Sequence, residues 1–210
     1  MSHRHPFFAR FYARTSTRLE KSIGPHRATL LEGLAGRVIE IGAGNGLNFA
    51  HYPAAVTEVI AVEPEPHLRS LAEAAADRAS VPIKVVDGLA DGLPVEGGSC
   101  DAAVTSLVLC TVPDQDRALA EVLRVLRPGG RLRFFEHVRA TAPGRRRVQK
   151  TLDGLGVWPW FGGGCHCSRD TRAAIERAGF TIDTFTELTM ADTGMPFPAA
   201  PQILGTATRP

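Results

Sequence analysis

At 210 residues, with 44% hydrophobic and 22% charged side chains and a formal net charge of +2, the chain has the size and make-up of one globular domain. That near-neutral balance speaks against a nucleic-acid partner, because the one dense basic run, Arg145-Arg146-Arg147 with Lys150, reads as a solvated helix face. No stretch approaches the ~20 apolar residues of a membrane span, Met1 to Pro6 lacks the apolar core of a signal peptide, and Cys100, Cys110, Cys165 and Cys167 make no secreted disulfide framework. The expected compartment is therefore the cytoplasm, without stable membrane insertion.

Taken in chain order, Phe7 to Arg14 predicts an aromatic-rich helix, Gly24-Pro25 a break, and His26 to Glu32 a second helix ended by Gly33 and Gly36. Arg37 to Ile41 reads as a short buried strand that runs straight into glycines. Thr57 to Val62 is a second strand, His67 to Arg78 a helix, Val81 to Val86 a third strand, and Ala102 to Leu109 contains a fourth. Asp114 to Arg127 is amphipathic, with Leu119, Val122, Leu123 and Leu126 at helical spacing. Pro128-Gly129-Gly130 is read as its terminator, and Arg131 to Val138 as the fifth strand. Arg169 to Ala178 is a helix, and Phe180 to Leu188 and Ile203 to Thr208 are two last strands joined by a Pro-rich connection over Ala191 to Pro201. Alternating strands and helices imply a mostly parallel sheet with helices on both faces. The expectation is a Rossmann-like α/β fold with seven strands, six parallel and the last antiparallel. It forms one domain over 1–210, with an N-terminal helical part (1–35), a cofactor-binding core (36–140) and a substrate-side part (141–210).

The chemistry concentrates where strands end. In Glu40-Ile41-Gly42-Ala43-Gly44-Asn45-Gly46 a strand feeds a glycine turn that is expected to open a helix, whose free N–H groups would face an anionic group. A dinucleotide fingerprint requires Gly or Ala where Leu47 stands, and Glu40 would repel a pyrophosphate while suiting an ammonium. Glu63, 21 residues after Gly42, ends the second strand and can accept from both ribose hydroxyls. Asp87-Gly88 follows the third strand, where a carboxylate can accept from an adenine amine. Three carboxylates at three consecutive strand ends match an amine-bearing nucleoside joined to an amino acid, which is the chemistry of S-adenosylmethionine. The candidate cofactor residues are Glu40, Gly42, Ala43, Gly44, Asn48, Glu63, Pro64, Asp87, Gly88 and Ser106.

On these residues, with Cys100 to Val104 and Leu126 to Gly130, the chain resembles the class I, seven-β-strand S-adenosylmethionine-dependent methyltransferases. A narrower resemblance, to the methyltransferase-like thiol methyltransferases of mammals, rests on Asn48 to Pro53, Ser106 to Val112, Glu136-His137-Val138, Gly164-Cys165, Ser168 to Thr171 and Pro201 to Gly205. It implies methyl transfer to the sulfur of a small alkyl thiol. Those proteins carry an apolar, membrane-associating N-terminal segment where this chain has His3 to Arg14, and Gln202 stands where a histidine is expected. O- or C-methylation of a phenolic or quinone-like metabolite, and a non-catalytic S-adenosylmethionine-binding protein, are the alternatives.

On the acceptor side, His137 ends the fifth strand. It is either the base that takes the acceptor's proton, as the candidate catalytic residue, or a structural histidine. His51 and His26 are weaker candidates. Phe7 to Tyr12 either forms a lid or packs on the sheet, and Phe161 to Gly164 forms an adjustable pocket wall. Cys100 and Cys110 read as buried small hydrophobes. Cys165-His166-Cys167 offers no second ligand pair, so no metal is expected. The expected partner is a small-molecule acceptor, and the expected state is a monomer or homodimer.

Overall fold

The computed structural model describes residues 6–210, with side chains from Phe8 onward; Met1 to His5, read above for a leader and as the start of the N-terminal segment, lie outside the described residues. In chain order the elements are α1 (Pro6–Leu31), β1 (Gly36–Ile41), a 3-10 turn (Phe49–His51), β2 (Val56–Val62), α2 (Pro66–Ala76), β3 (Ile83–Val86), β4 (Cys100–Ser106), α3 (Gln115–Val125) and β5 (Leu126–His137). The chain continues through α4 (Pro143–Gly154), α5 (Val157–Phe161), α6 (Thr171–Arg177), β6 (Thr181–Leu188), α7 (Met190–Thr193) and β7 (Gln202–Thr208). Among the described residues no helix is long and apolar enough to cross a membrane.

The strands form one sheet in the order β3-β2-β1-β4-β5-β7-β6. β3, β2, β1, β4 and β5 are parallel, and β7 runs antiparallel to both β5 and β6. This is the Rossmann-like methyltransferase sheet, with six strands in one direction and the last reversed.

Strand pleating sends alternate residues to opposite faces, and the core divides accordingly. Ile39, Ile41, Ile60, Val62, Leu132 and Phe134 pack with Leu119 and Val122 of α3 and Ile175 of α6. Val38, Val59, Ala61, Val104 and Phe135 pack on the other face with Leu30 and Leu31 of α1 and Ala72 of α2. The same alternation places Glu40 beside Val38, Ser106 beyond Val104 and His137 beyond Phe135. The candidate polar residues thus share the α1 face, near the carboxyl ends of the strands.

Four local expectations are corrected. Gly24-Pro25 does not break the helix, and α1 runs through Pro25. Ala9, Ser16, Ile23, Arg27 and Leu30 form one buried stripe along it, and tertiary packing of that stripe outweighs the ~3 kcal/mol that an interior proline costs. After the glycine turn the chain makes only the 3-10 turn Phe49–His51, not an α-helix, so no helix N-terminus is available there for an anionic group. Pro128-Gly129-Gly130 lies inside β5, because Leu126 already has extended geometry and ends α3. The Pro-rich connection over Ala191 to Pro201 is not irregular throughout: its first residues belong to the short helix α7, whose Thr189 and Asp192 form a capping box. The basic run is exposed on α4, as a solvated face should be.

Candidate active site

The cofactor side is held together by backbone donors and carboxylates. Gly42 has φ +67, and a Cβ on it would stand 2.5 Å from Val108 Cγ2, so only glycine fits this strand exit. Gly42 N and Ala43 N both donate to the Val62 carbonyl, at 2.8 and 3.1 Å. Glu63 is buried; its Oε2 accepts from Gly44 N at 2.8 Å and its Oε1 from Glu65 N at 2.9 Å. This carboxylate pins the turn after β1 to the turn after β2. Arg69 donates to the Glu63 and Pro64 carbonyls at 2.8 and 3.1 Å and to Asp87 Oδ1 at 3.0 Å. Asp87 is 71% exposed, and Gly88 packs against Val62.

Behind the glycine turn lies a buried polar chain. Glu40 accepts from Asn48 Nδ2 at 2.8 Å and from the Tyr52 hydroxyl at 2.7 Å. Burial pushes its carboxyl up to about 7, against the opposing pull of Tyr52, Asn48 and Arg27. Arg27, itself buried, donates to Asn48 Oδ1 at 2.8 Å, Ser106 Oγ at 3.3 Å and Glu20 Oε2 at 3.2 Å. Sequence reasoning missed Arg27. The signal was there: it sits four residues from both Ile23 and Leu31, on the apolar stripe of its helix, and a cation in that place needs polar partners.

The α1 helix lies across this region. Tyr12 packs so closely on Gly44 that a Cβ there would stand 3.3 Å from its ring. Burial raises the phenol's pKa, and Arg27, Glu63 and Cys110 all lie within electrostatic reach of it. Further along, Phe8 covers Gly163 and stacks on Tyr12, with ring centroids 5.9 Å apart. Tyr12 therefore bridges the cofactor side and the acceptor side.

The acceptor side is lined with sulfur. His137 Nδ1 lies 3.5 Å from Cys110 Sγ and 3.4 Å from Cys165 Sγ, and Cys165 Sγ lies 3.6 Å from Cys167 Sγ. The Cys110 thiol is pushed well up by its hydrogen bond with Cys165 and by burial. For Cys165, a hydrogen bond with Cys110 pulls down, but the contact with Cys167 and burial push it up overall. Cys110 is thus buried as expected, and its sulfur lies beside His137 rather than among apolar side chains alone. Glu136, on the opposite face, accepts from Val108 N and Cys110 N at 3.2 and 3.3 Å, and so holds the turn after β4. Leu107 in that turn adopts φ +62, a conformation that leucine rarely takes.

Among the described residues, three buried polar atoms at this end have no partner: His137 Nε2, Gln202 Oε1 and Trp158 Nε1. Gln202 stands directly opposite His137 in the β5–β7 ladder. The two weaker histidine candidates are engaged elsewhere: His26 with the Asp192 carbonyl at 3.2 Å, and His51 with Glu20 at 3.6 Å. His166 is not among the groups that meet at His137, although its N–H donates to the Cys110 carbonyl at 2.8 Å.

Comparison with known proteins gives the site its context. Residues 39–134 match a family model described as a methyltransferase domain. The chain is 33% identical to thiol S-methyltransferase TMT1B of Mus musculus over 97% of its own length and 86% of that protein's. It is 36% identical to thiol S-methyltransferase TMT1A of Homo sapiens over 69% of this chain and 59% of that one. A solved structure of an S-adenosylmethionine-dependent methyltransferase from Thermotoga maritima superposes with a TM-score of 0.69 at 22% identity, covering 97% of this chain and 98% of that one. At that identity the likeness is one of fold.

Proposed function

From the premise that this chain belongs to the class I S-adenosylmethionine-dependent methyltransferases, we propose that its acceptor is a small alkyl thiol. One observation carries the reading. Three of the six segments on which the thiol-methyltransferase resemblance rests, 106–112, 136–138 and 164–165, are far apart in sequence yet meet around His137. The two curated relatives named above are thiol S-methyltransferases over most of this chain.

S-adenosylmethionine supplies an activated methyl group on a sulfonium, so the protein's work is alignment and exclusion of water. Glu40, Asn48 and Arg27 would hold the donor's amino-acid end, Glu40 suiting its ammonium and Arg27 its carboxylate. Gly42, Ala43, Gly44 and Ser106 line its path. Glu63, with lone pairs beyond those used by Gly44 and Glu65, takes the ribose with Pro64 beside it. Asp87 and Gly88 flank the adenine. The α1 helix, through Tyr12 and Phe8, closes over both halves as the lid. The acceptor sulfur approaches from the His137 end. Its lone pair forms the new S–CH3 bond as the sulfonium C–S bond breaks, leaving a thioether and S-adenosylhomocysteine. His137 lowers the cost of removing the thiol proton.

The test is a screen of alkyl thiols, phenols and quinone-like compounds with isotopically labelled methyl donor, read by mass spectrometry. Label on the sulfur of alkyl thiols is the expected result. Label confined to oxygen or carbon acceptors, or to none, overturns the reading.

A further inference from the structure

We propose that Cys110, His137 and Cys165 bind a single zinc-type divalent cation whose fourth coordination position is open to the acceptor sulfur. The three ligand atoms, two Sγ and one Nδ1, all lie within 4.8 Å of one another, and all three residues are buried. Tetrahedral zinc, with Zn–S about 2.3 Å and Zn–N about 2.0–2.1 Å, spaces its ligands about 3.8 Å apart for S···S and about 3.5 Å for S···N. The two S···N distances here are 3.5 and 3.4 Å.

A neutral imidazole Nδ1 offers either one lone pair or one proton, and two thiol sulfurs that also bond to each other both approach it. One cation at the centre of the triangle satisfies all three atoms. Two thiolates and an imidazole form a donor set that suits zinc, and three protein ligands with one position free is the arrangement of catalytic rather than structural zinc.

The surroundings are those of a built site. Metal-bound histidines donate their second ring N–H to an outer partner. With Nδ1 on the ion, Nε2 carries the proton; among the described residues neither Nε2 nor the buried Oε1 of Gln202, the residue across the ladder, has a partner, and the two do not bond to each other. The amide of Gln202 is already oriented by its Nε2 donating to the Ala199 carbonyl at 3.2 Å. Trp158 packs against Cys110 and Cys165, and its buried N–H has no acceptor. It is a donor available to a coordinated thiolate. Two backbone bonds hold the ligand-bearing turns in place: Glu136 accepts from Cys110 N, and His166 N donates to the Cys110 carbonyl. Local reading of Cys165-His166-Cys167 missed the site because its other two ligands lie at the ends of β4 and β5.

The open position rests on the thiol reading above; the metal site does not. An alkyl thiol that coordinates the ion releases its proton to solvent. The bound sulfur then takes the methyl group, both electrons of the broken C–S bond stay on the cofactor sulfur, and the neutral thioether, a weaker ligand, departs. The ion remains divalent throughout. In this arrangement His137 acts as a ligand and not as a free base.

The test uses the full reduced chain, titrated with Co2+ as a visible probe and then with Zn2+ in competition. The expected result is one equivalent of Co2+ with the intense absorption of tetrahedral, thiolate-bound cobalt, displaced by Zn2+. Cys110→Ser, Cys165→Ser and His137→Gln should each weaken binding at least about tenfold, while Cys167→Ser should change it less than about threefold. Calorimetry with S-adenosylhomocysteine on each variant checks that it is folded. Absence of thiolate–cobalt absorption in the wild-type chain, which needs no variant, overturns the site, as does wild-type affinity in folded His137→Gln or Cys165→Ser. Adding a small alkyl thiol should shift the cobalt bands. Unchanged bands overturn the open position while leaving the metal site standing, and failure of the methylation screen with cobalt still bound would sink the thiol reading alone.

Discussion

The two ends of the α1 face are built in opposite ways. Around β1 and β2, the candidate cofactor side comes mostly from residues 40–65, and each buried carboxylate there already accepts two hydrogen bonds, Glu63 from Gly44 N and Glu65 N, and Glu40 from Asn48 and Tyr52. Around β5 and β7, the acceptor side draws on residues near 110, 137, 158–167 and 202, and it leaves three buried polar atoms unpartnered. Buried polar groups without partners are rare and call for a cause. The first end satisfies its carboxylates from its own chain; the second leaves these three atoms open among the described residues.

Four measurements break or sharpen this contrast. The largest effect is expected at the unfinished end. His137→Gln should lower turnover by about 10²-fold or more, because it removes the group that helps the acceptor thiol lose its proton, as a ligand of the ion or, where no ion binds, as a base, while calorimetry shows cofactor affinity within about twofold of wild type. The deficit should shrink at high pH, where the thiol ionises unaided. Equal turnover across the pH range would mean that His137 is structural and that the two ends are not functionally distinct.

The next effect belongs to Glu40. Its folded-state pKa of about 7 lies above the ordinary 4.5, so the folded chain holds the extra proton between those values. Stability contributed by this group is complete below about 4.5 and falls as pH rises toward 7, by about 3 kcal/mol at most. Glu40→Gln mimics the protonated form and should remove that share of the fall in urea unfolding between pH 5 and pH 8. Glu63 and Glu136 are also raised by burial, so some slope remains, and the difference between the two curves is the readout. Parallel curves would show that Glu40 is ionised throughout.

A smaller effect is expected at Glu63. Glu63→Ala removes the acceptor for Gly44 N and Glu65 N along with the ribose contact, and hydrogen bonds to a charged group contribute about 1.5–3 kcal/mol. Affinity for S-adenosylhomocysteine should drop about ten- to a hundredfold, with a loss of melting temperature alongside it. Unchanged calorimetry would remove Glu63 from the site. Smallest of all, Asp87→Asn should alter affinity less than about threefold, since this carboxylate is mostly exposed and already paired with Arg69. A tenfold loss would show that the adenine end is as tightly organised as the ribose end.

The same contrast explains what could be read before the fold was known. The seven strands, the reversed last strand and the methyl donor were legible from local signals: alternating strands and helices, a glycine turn after Glu40, a carboxylate closing each of the next two strands, and helical periodicity over 114–127; the strand order was not. Cys110, His137 and Cys165 are separated by 27 and 28 residues, and only β4 lying beside β5 brings them together. Arg27 went unread, because the stripe it sits on shows as buried only once α1 is packed. Pro25 misled because the local rule is sound, but the packing of Ile23 and Leu30 is stronger than the local rule.

The placement of β7 has a consequence for synthesis. It is made after β6 yet sits between β6 and β5. While a nascent chain has not yet released residues 202–208 from the ribosome, β5 keeps one flank of unpaired backbone N–H and C=O groups, and β6 has no strand to join. An open, apolar strand edge of that kind templates pairing between chains, and pairings distant in sequence are slow to form. Completion of the sheet therefore waits on its seven-residue β7 strand, and translation speed near that point sets how long the growing polypeptide is exposed to misassembly.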